Sequence, residues 1–174
     1  MFTFAGLRIR TVENGDLEKM RVLRNDSSTW TMLECIDFLD AEAQRQWFEK
    51  VRLASDRRYY ILCDDQNDFI GIVRTDQIDR VNRSIRIGVD IVPELRGQGF
   101  GGKAFTLLKK FCFDYLNMHR VWLAVIETNE VAIKLYKKQG FKEEGCYRSA
   151  IFRDGKYRDY IIMSILEAEY QRKH

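Results

Sequence analysis

The sequence has very little proline and no linker-like segment. Its single proline is Pro93, and no stretch is rich in Pro, Gly or Ser. We find no low-complexity segment and no repeat at solenoid spacing. The chain has 174 residues, 45% of them hydrophobic, which is enough to bury a core without disulfides or metal. We therefore expect a single domain over residues 1–174.

Metal ligands and long apolar runs are also scarce. The two histidines, His119 and His174, lie far apart, and the four cysteines form no CxxC pair or Cys/His cluster. Bound metal is therefore not expected. The N-terminus does not resemble a secretion signal, and no segment approaches the roughly 20 apolar residues that span a membrane. We expect a cytoplasmic protein with free thiols and no membrane insertion.

An excess of charge of one sign is missing too. The 29 Lys and Arg residues nearly balance the 26 Asp and Glu residues, for a formal net charge of +3. This charge is too small to indicate a nucleic-acid partner. A net charge of this size is compatible with binding of a small anionic ligand.

Hydrophobic periodicity predicts both helices and strands. The expected strands are residues 6–12, 58–63, 69–76, 84–92, 120–127, 143–152 and 157–166. The expected helices are one that Asn14 or Asp16 caps and that ends near Arg24-Asn25, one from its cap Asp40 to residue 54, one at 103–117, and one from its cap Asn129 to residue 138. The order predicts an antiparallel meander, then a βαβ unit, then a hairpin at Asp154-Gly155.

A glycine-rich segment joins a predicted strand to a predicted helix. It reads Arg96-Gly97-Gln98-Gly99-Phe100-Gly101-Gly102-Lys103. Glycines at this density leave backbone N–H groups uncovered at a helix N-terminus, where anions bind. The cations Arg96 and Lys103 oppose the helix dipole by a few tenths to about 1 kcal/mol unless an anion is bound. The segment therefore predicts an anion site.

A dinucleotide-binding loop is the competing interpretation. Gly97, Gly99 and Gly102 match GxGxxG, and Glu127 closes the next strand. In that fold the first glycine follows the strand directly, within alternating βαβ units. Here residues 93–96 intervene and a meander comes first, so we disfavour this interpretation.

Two motifs resemble the GNAT superfamily of acetyl-CoA-dependent N-acetyltransferases. The family's loop Q/R-x-x-G-x-G/A is matched by Arg96, Gly99 and Gly101, and the segment 129–141, NEVAIKLYKKQGF, is similar to its N-x-x-A-x-x-x-Y-x-x-x-G-F block. The resemblance covers residues 59–166. It implies an α/β (α+β) fold with a mixed, mostly antiparallel sheet of about seven strands and about four helices.

The resemblance also implies how acetyl-CoA is bound. The strands at 84–92 and 120–127 would run parallel and splay apart, with the pantetheine arm between them on the backbone of Ile91 and Val92. The pyrophosphate would lie on the backbone of residues 96–103. Asn129 would touch the pantetheine arm, and Lys134 is a further coenzyme-binding candidate.

Tyr136 suits the role of general acid in acetyl transfer. A phenol with an ordinary pKa of about 10 keeps its proton at neutral pH and can donate it to the departing thiolate. The oxyanion would meet a backbone N–H near Ile91 or Val92.

The general base is harder to place. The glutamates that some relatives carry would align with Ala124 and Arg86, so both are missing. Asp90 and Glu127 remain, acting directly or through water. No base is required if the amine arrives with a low pKa.

The acceptor would lie against the N-terminal helices and the hairpin turn. The candidate substrate residues there are Arg24, Asn25, Trp30, Trp47 and Arg153. The Arg24-Asn25 pair, followed by QWF at 46–48, is similar to acetyltransferases of nucleotide-linked amino sugars.

Residues 154–159 equally resemble ribosomal-protein N-terminal and polyamine acetyltransferases. We rank an amino sugar first, a peptide N-terminus second and a polyamine third. A polyamine would favour an acidic pocket, which Glu34, Asp37, Asp40 and Glu42 could provide.

A protein that senses acetyl-CoA without turnover is the alternative from another class. Coenzyme binding without thiol release would favour it. Many family members dimerise through sheet edges or terminal segments, so a homodimer is one expectation.

Overall fold

A computed structural model describes residues 1–171, so His174 lies outside the described residues. An eight-stranded sheet has the order β1-β2-β3-β4-β5-β6-β8-β7. The strands are β1 (Phe2–Phe4), β2 (Leu7–Thr11), β3 (Arg58–Cys63), β4 (Phe69–Asp79), β5 (Ser84–Ile91), β6 (Arg120–Ile126), β7 (Lys142–Arg153) and β8 (Lys156–Leu166). Within the described residues, β5 and β6 form a parallel pair and the other neighbours are antiparallel.

Six α-helices are described with the sheet. They are α1 (Leu17–Asn25), α2 (Ser27–Trp30), α3 (Ala41–Leu53), α4 (Phe100–Lys110), α5 (Glu130–Lys138) and α6 (Glu167–Gln171). A 3₁₀ turn covers Pro93–Leu95, and a π-helical turn, Phe111–Tyr115, continues α4.

Helices cover the sheet on both faces. On one face, Phe105 and Leu108 of α4 belong to a buried cluster with Leu62. On the other face, Met20 of α1 belongs to a second cluster with Ile61. Ile61 and Leu62 are adjacent and both are 0% exposed. Side chains alternate across a strand, so Ile61 and Leu62 point to opposite faces. This part of the sheet is therefore buried on both faces.

The predicted fold class, a mixed α/β fold with a mostly antiparallel sheet, is confirmed, with eight strands instead of seven. The prediction missed β1, α2 and α6, which are short. Strand β1 turns into β2 through Ala5 (φ 55°) and Gly6 (φ 73°). Such tight turns usually carry Asn-Gly or Asp-Gly, so Ala5 hides the signal.

The predicted start of α4 at residue 103 is wrong. The helix begins at Phe100 because Gly99, with φ 86°, is its N-cap. Glycine reaches this left-handed conformation without steric penalty. Two further glycines lie in the first turn, where low helix propensity suggested loop.

The predicted caps of α3 and α5 are confirmed, and Asp16, one of the two predicted alternatives, is the N-cap residue of α1. Asp40 Oδ1 accepts the Ala43 N–H at 2.7 Å, and Asn129 Oδ1 accepts the Ala132 N–H at 3.1 Å. Asp16 makes no capping bond to α1. Its carboxylate instead pairs with Arg10, and hydrogen bonding to this guanidinium holds the pKa of Asp16 below its usual range.

Candidate active site

Two clefts meet near the middle of the sheet. The glycine cleft, about 370 Å³, is lined by Ile91, Gly97, Gly99, Gly101 and Tyr136 among others. The charged cleft, about 360 Å³, lies under α1 and α3. Leu33, Arg74 and Asp90 line both clefts. Ligands bound in the two clefts would therefore meet beside these three residues.

The glycine cleft opens where β5 and β6 part. The two strands pair at Ser84↔Arg120, Ile85↔Val121 and Arg86↔Trp122, and the pairing ends there. Strand β5 continues to Ile91 and β6 to Ile126. The predicted splay of two parallel strands is therefore present.

Backbone groups of Ile91 face this opening, whereas the N–H of Val92 does not. The Val92 N–H donates to the Ile70 carbonyl at 3.0 Å, on the β4 side. Hydrogen-bonding direction alternates along a strand, so the polar groups of Val89 and Ile91 point the other way. Of the two predicted oxyanion donors, the Val92 N–H is therefore paired, and the Ile91 N–H stays a candidate. The Ile91 carbonyl already accepts a bond from Arg96 Nε at 2.9 Å.

The glycine segment has the geometry of an anion site. Gly97 (φ 77°) and Gly99 (φ 86°) turn the chain into α4. The first N–H groups of a helix have no intrahelical acceptor, so those after Gly99 are available to a ligand. A Cβ on Gly101 would lie 3.2 Å from Leu135 Cδ2, so only a small residue lets α4 pack this closely on α5. The loop therefore fits a pyrophosphate held by backbone.

The side chain of Arg96 anchors this loop. Nη1 donates to Ser28 Oγ and Nη2 to Thr29 Oγ1, both at 2.6 Å. The guanidinium thereby ties the loop to α2, an element that the sequence reasoning missed. The Arg96 side chain therefore positions the loop.

The other predicted coenzyme residues differ in placement. Asn129 caps α5 and lines the glycine cleft. Gln98 donates to the Glu94 carbonyl at 2.8 Å, and Lys103 Nζ lies 5.7 Å from the Phe100 ring centroid. Lys134 pairs with Glu130 at 3.1 Å on the exposed face of α5. It does not line the glycine cleft.

Tyr136 lies in the glycine cleft with its ring against Phe105, at a centroid distance of 5.0 Å. Burial raises the pKa of its phenol above the ordinary value. Within residues 1–171, its hydroxyl makes no hydrogen bond. The phenol is therefore protonated at neutral pH and free to donate.

Arg74 and Asp90 form an ion pair where the clefts meet. Arg74 Nη1 donates to Asp90 Oδ2 at 2.9 Å. The guanidinium lies over Gly88, since a Cβ there would be 2.5 Å from Arg74 Cζ. Burial alone would lower the pKa of Arg74, but the nearby negative charges, Asp90 first, outweigh it and raise the pKa. The sequence reasoning missed Arg74, although a glycine inside a predicted strand signals close approach of another group.

The two candidate bases are placed differently. Asp90 lines both clefts, as a base for the acceptor amine must. Glu127 is exposed, lies 3.9 Å from Arg158 Nη1, and lines neither cleft. Asp90 therefore remains the better candidate.

Three predicted substrate residues hold the segment 31–39, and one of them, Arg24, also lines the charged cleft. Arg24 Nη2 donates to the Cys35 carbonyl at 3.0 Å, and Asn25 bonds both the N–H and the carbonyl of Leu39 at 3.0 and 2.8 Å. Arg153 Nε donates to the Thr31 carbonyl at 3.2 Å. These bonds fix the segment as a wall of the charged cleft.

The two predicted tryptophans also differ. Trp47 lines the charged cleft and packs edge-on against Tyr59, at a centroid distance of 4.7 Å. Trp30 packs against Phe38 at 5.5 Å and lines neither cleft.

Ion pairs neutralise much of the charged cleft. Arg86 bonds both Asp76 and Glu34, the latter at 3.0 Å. Glu34 and Asp37 line the cleft as predicted for an acidic pocket. Asp40 and Glu42 do not, because Asp40 caps α3 and Glu42 pairs with Arg45. The charged cleft is therefore lined by arginines as well as by carboxylates.

Two further properties bear on the class of site. Among residues 1–171, no cluster of three or more His, Cys, Asp or Glu side chains could hold a metal ion. Over the same residues, no helix is both long enough and apolar enough to cross a membrane.

Comparison with known proteins agrees with this geometry. The acetyltransferase (GNAT) domain family matches residues 6–142. The spermidine N(1)-acetyltransferase of Escherichia coli K12 is 30% identical over 177 residues, covering 97% of this chain and 90% of that protein.

Solved structures extend the match. The spermidine N-acetyltransferase of Vibrio cholerae in complex with CoA and spermine has a TM-score of 0.91 at 28% identity, covering 95% of this chain and 98% of that one. A dodecameric structure of the Vibrio cholerae enzyme has a TM-score of 0.83 at 29% identity, covering 97% and 98%.

The chain belongs to the GNAT family of acetyltransferases. It is an acetyl-CoA-dependent N-acetyltransferase, and its glycine cleft has the features that binding of the coenzyme requires: a glycine loop at a helix N-terminus and an opening between parallel strands.

Proposed function

We propose that the enzyme acetylates a primary amine of a small polyamine, with acetyl-CoA in the glycine cleft and the amine in the charged cleft. The observation that carries this proposal is the junction of the two clefts at Arg74 and Asp90, close to Tyr136. An amine entering from one side can reach a thioester entering from the other without a covalent enzyme intermediate. Proximity of this kind is itself a large part of catalysis.

The side chains at the junction suit direct transfer. Asp90 would take a proton from the acceptor ammonium, directly or through water. The amine nitrogen would then attack the thioester carbon, and Tyr136 would donate its proton to the departing sulfur. The second proton leaving the nitrogen would restore the phenol.

Polyamines are favoured by the relatives and by the acids of the charged cleft. The curated relative above acts on spermidine and matches nearly the whole chain. Glu34, Asp37, Asp76 and Asp90 line the cleft and could bind cationic nitrogens. We ranked a nucleotide-linked amino sugar first from the sequence, and these relatives do not support that ranking.

A second acceptor class is favoured by the arginines. Arg24, Arg57, Arg74 and Arg86 line the same cleft as the four acids. A guanidinium fork binds carboxylate or phosphate well and repels a polycation. An amine that also carries an anionic group is therefore the second candidate.

The test is a thiol-release assay with acetyl-CoA and a panel of amines. The panel contains spermidine and spermine, amino acids and aminoalkyl phosphates, nucleotide-linked amino sugars, and peptides with free N-termini. We expect the highest kcat/KM with a polyamine. A higher value for the anion-bearing amines would overturn the polyamine assignment in favour of the second candidate. Tight coenzyme binding without thiol release from any amine would favour the sensor.

Self-association and a cytoplasmic location are also proposed. Strand β7 forms one edge of the sheet, and most of its residues are exposed. The edge offers unpaired backbone groups to a second copy, and light scattering on the purified protein would give the number of copies. Free Cys35, Cys63, Cys112 and Cys146 fit a reducing compartment.

A further inference from the structure

We propose that Arg74 is a catalytic residue whose guanidinium contacts the thioester carbonyl oxygen and stabilises the negative charge that develops there. This inference rests on the proposed site of transfer, where the two clefts meet. It assigns to Arg74 the electrostatic role that we first gave to backbone N–H groups alone.

The position of Arg74 is set by its neighbours. Gly88, opposite Arg74 in the register of β4 and β5, has no side chain, and the guanidinium occupies that space. Asp90 holds one end of the guanidinium through the 2.9 Å bond to Nη1. The group is thus fixed before substrate arrives, which is what effective charge stabilisation in an active site requires.

Arg74 has donors to spare. A guanidinium carries five N–H groups. Within residues 1–171, the bond to Asp90 is the hydrogen bond that this guanidinium donates. Its side chain is 25% exposed, at the surface that both clefts share. The remaining N–H groups are therefore open to a ligand at the junction.

The backbone offers few alternatives at this point. The Val92 N–H is bound by the Ile70 carbonyl. The Ile91 N–H faces the opening and could supply one neutral donor. A cationic donor forms a stronger bond to a developing negative charge than a neutral donor does. Arg74 would supply most of the stabilisation.

The charge of Arg74 also acts on Tyr136. Burial raises the pKa of the phenol, and the Arg74 guanidinium offsets part of that rise. When nitrogen bonds to the carbonyl carbon, the C=O electron pair moves to oxygen, beside Arg74. When it returns, the C–S bond breaks, and sulfur takes the Tyr136 proton. One guanidinium would thus favour both the attack and the proton transfer.

The experiment compares Arg74→Met, Arg74→Lys and Gly88→Ala with the wild type and a control, Arg52→Met. Arg52 is an exposed residue of α3 that pairs with Glu49. Gly88→Ala keeps the guanidinium but displaces it, because the contacted atoms are the movable end of a side chain. Circular dichroism and melting temperature establish that each variant is folded.

Three readouts separate the role of Arg74 from a structural one. They are kcat with the best acceptor, acetyl-CoA affinity by calorimetry, and the ¹³C chemical shift of bound [1-¹³C]acetyl-CoA, which reports polarisation of the thioester carbonyl without turnover. We expect Arg74→Met and Gly88→Ala to lower kcat by about 100-fold, as loss of an oxyanion donor does. Both should also return the ¹³C shift toward that of free acetyl-CoA. For Arg74→Lys, both kcat and the ¹³C shift should lie between the values of these two variants and those of the wild type.

Two results would overturn the inference. One is a bound ¹³C shift that is the same in Arg74→Met and wild type, whatever happens to kcat, because Arg74 would then act on the acceptor or on Asp90. The other is a Gly88→Ala variant with the wild-type shift and kcat. If no amine in the panel is acetylated, the acceptor assignment fails, while the ¹³C shift still decides the role of Arg74.

Discussion

The glycine cleft and the charged cleft are similar in volume but are built from different parts of the protein. The glycine cleft is formed by glycine turns and mostly apolar side chains, largely from two continuous segments around Gly97 and Asn129. The charged cleft is formed by side chains from α1, α3, β3, β4 and β5 and from the segment 31–39, and ion pairs hold it together. The first cleft needs a particular chain conformation, and the second needs distant side chains to meet.

This difference separates coenzyme binding, which does not depend on the acceptor, from selection of the acceptor. A backbone anion site binds the same coenzyme whatever the acceptor. A cleft made of charged side chains changes its specificity with one substitution, because pairing decides its net charge. We expect changes in the glycine cleft to alter coenzyme affinity and changes in the charged cleft to alter the acceptor KM.

The largest effect is expected for Gly99→Val. A β-branched residue is strained at φ 86°, and its side chain would project into open space at the anion site. We expect coenzyme A affinity, measured by calorimetry, to fall about 1,000-fold, or about 4 kcal/mol. The control is Gly15→Val, at an exposed glycine with open space around it and no positive φ. Wild-type coenzyme A affinity in Gly99→Val would refute pyrophosphate binding by the backbone of the glycine segment.

Tyr136→Phe should separate chemistry from binding in the glycine cleft. Loss of a general acid lowers kcat by about 100-fold, since only the proton donor is removed. Coenzyme affinity should stay close to the wild-type value because the ring packing on Phe105 is kept. Tyr147→Phe, at an exposed position, is the control. Unchanged turnover would exclude Tyr136 from the mechanism.

The pH profile tests the same phenol. Burial raises the pKa of Tyr136 above its ordinary value of 10.0, so the proton-donating form persists as pH rises through 10. Loss of kcat through phenol ionisation is therefore expected only above pH 10. A Tyr136-dependent fall in kcat with a midpoint at or below pH 10 would contradict this prediction.

Arg86→Gln should change acceptor preference without changing coenzyme affinity. The substitution leaves Asp76 and Glu34 without their cationic partner. A polyamine should then bind better and an anion-bearing amine worse, each by about tenfold in KM, from roughly 1.4 kcal/mol of altered charge interaction. Steady-state kinetics with both acceptors measure this. Shifts in the same direction for both acceptors would show that Arg86 has only a structural role.

Arg153→Met should produce the smallest effect. Arg153 donates to the carbonyls of Thr31 and Leu33 and so fixes the wall of the charged cleft. Without these bonds, we expect faster amide hydrogen exchange in residues 31–34 and an acceptor KM about fivefold higher, as for the loss of roughly 1 kcal/mol. Coenzyme affinity should not change. If KM rises while exchange stays at the wild-type rate, Arg153 contacts the acceptor directly.

Local patterns predicted most of the fold. The strand at 58–63 matches β3, and the caps Asp40 and Asn129 bond as expected, because each depends on neighbours along the chain. The errors fall where a contact overrides propensity. α4 extends back over Gly101 and Gly102, and short β1 depends on pairing with β2.

The candidate site divides in the same way. The glycine loop and Tyr136 could be proposed from the sequence, because the loop and the helix motif that contains Tyr136 each consist of residues close together in the chain. For Arg74 the sequence contains only the indirect signal of Gly88. Its role depends on the register that sets Arg74 opposite Gly88, which lies two residues before Asp90 on β5. Arg24, Asn25 and Arg153 were recognised as polar residues near the acceptor, but their partners are backbone carbonyls and amides that the sequence does not specify.

The sequence by itself determined the enzyme class and predicted the coenzyme loop and the general acid, since these depend on glycine conformation, helix N-terminal amides and residues close together in the chain. Only the tertiary structure decided that Arg74 lies at the junction of the two clefts, that Val92 is paired, and that arginines neutralise the acids of the charged cleft. Those facts depend on which strands pair and in which register, and distant side chains acquire their partners only when the sheet is assembled.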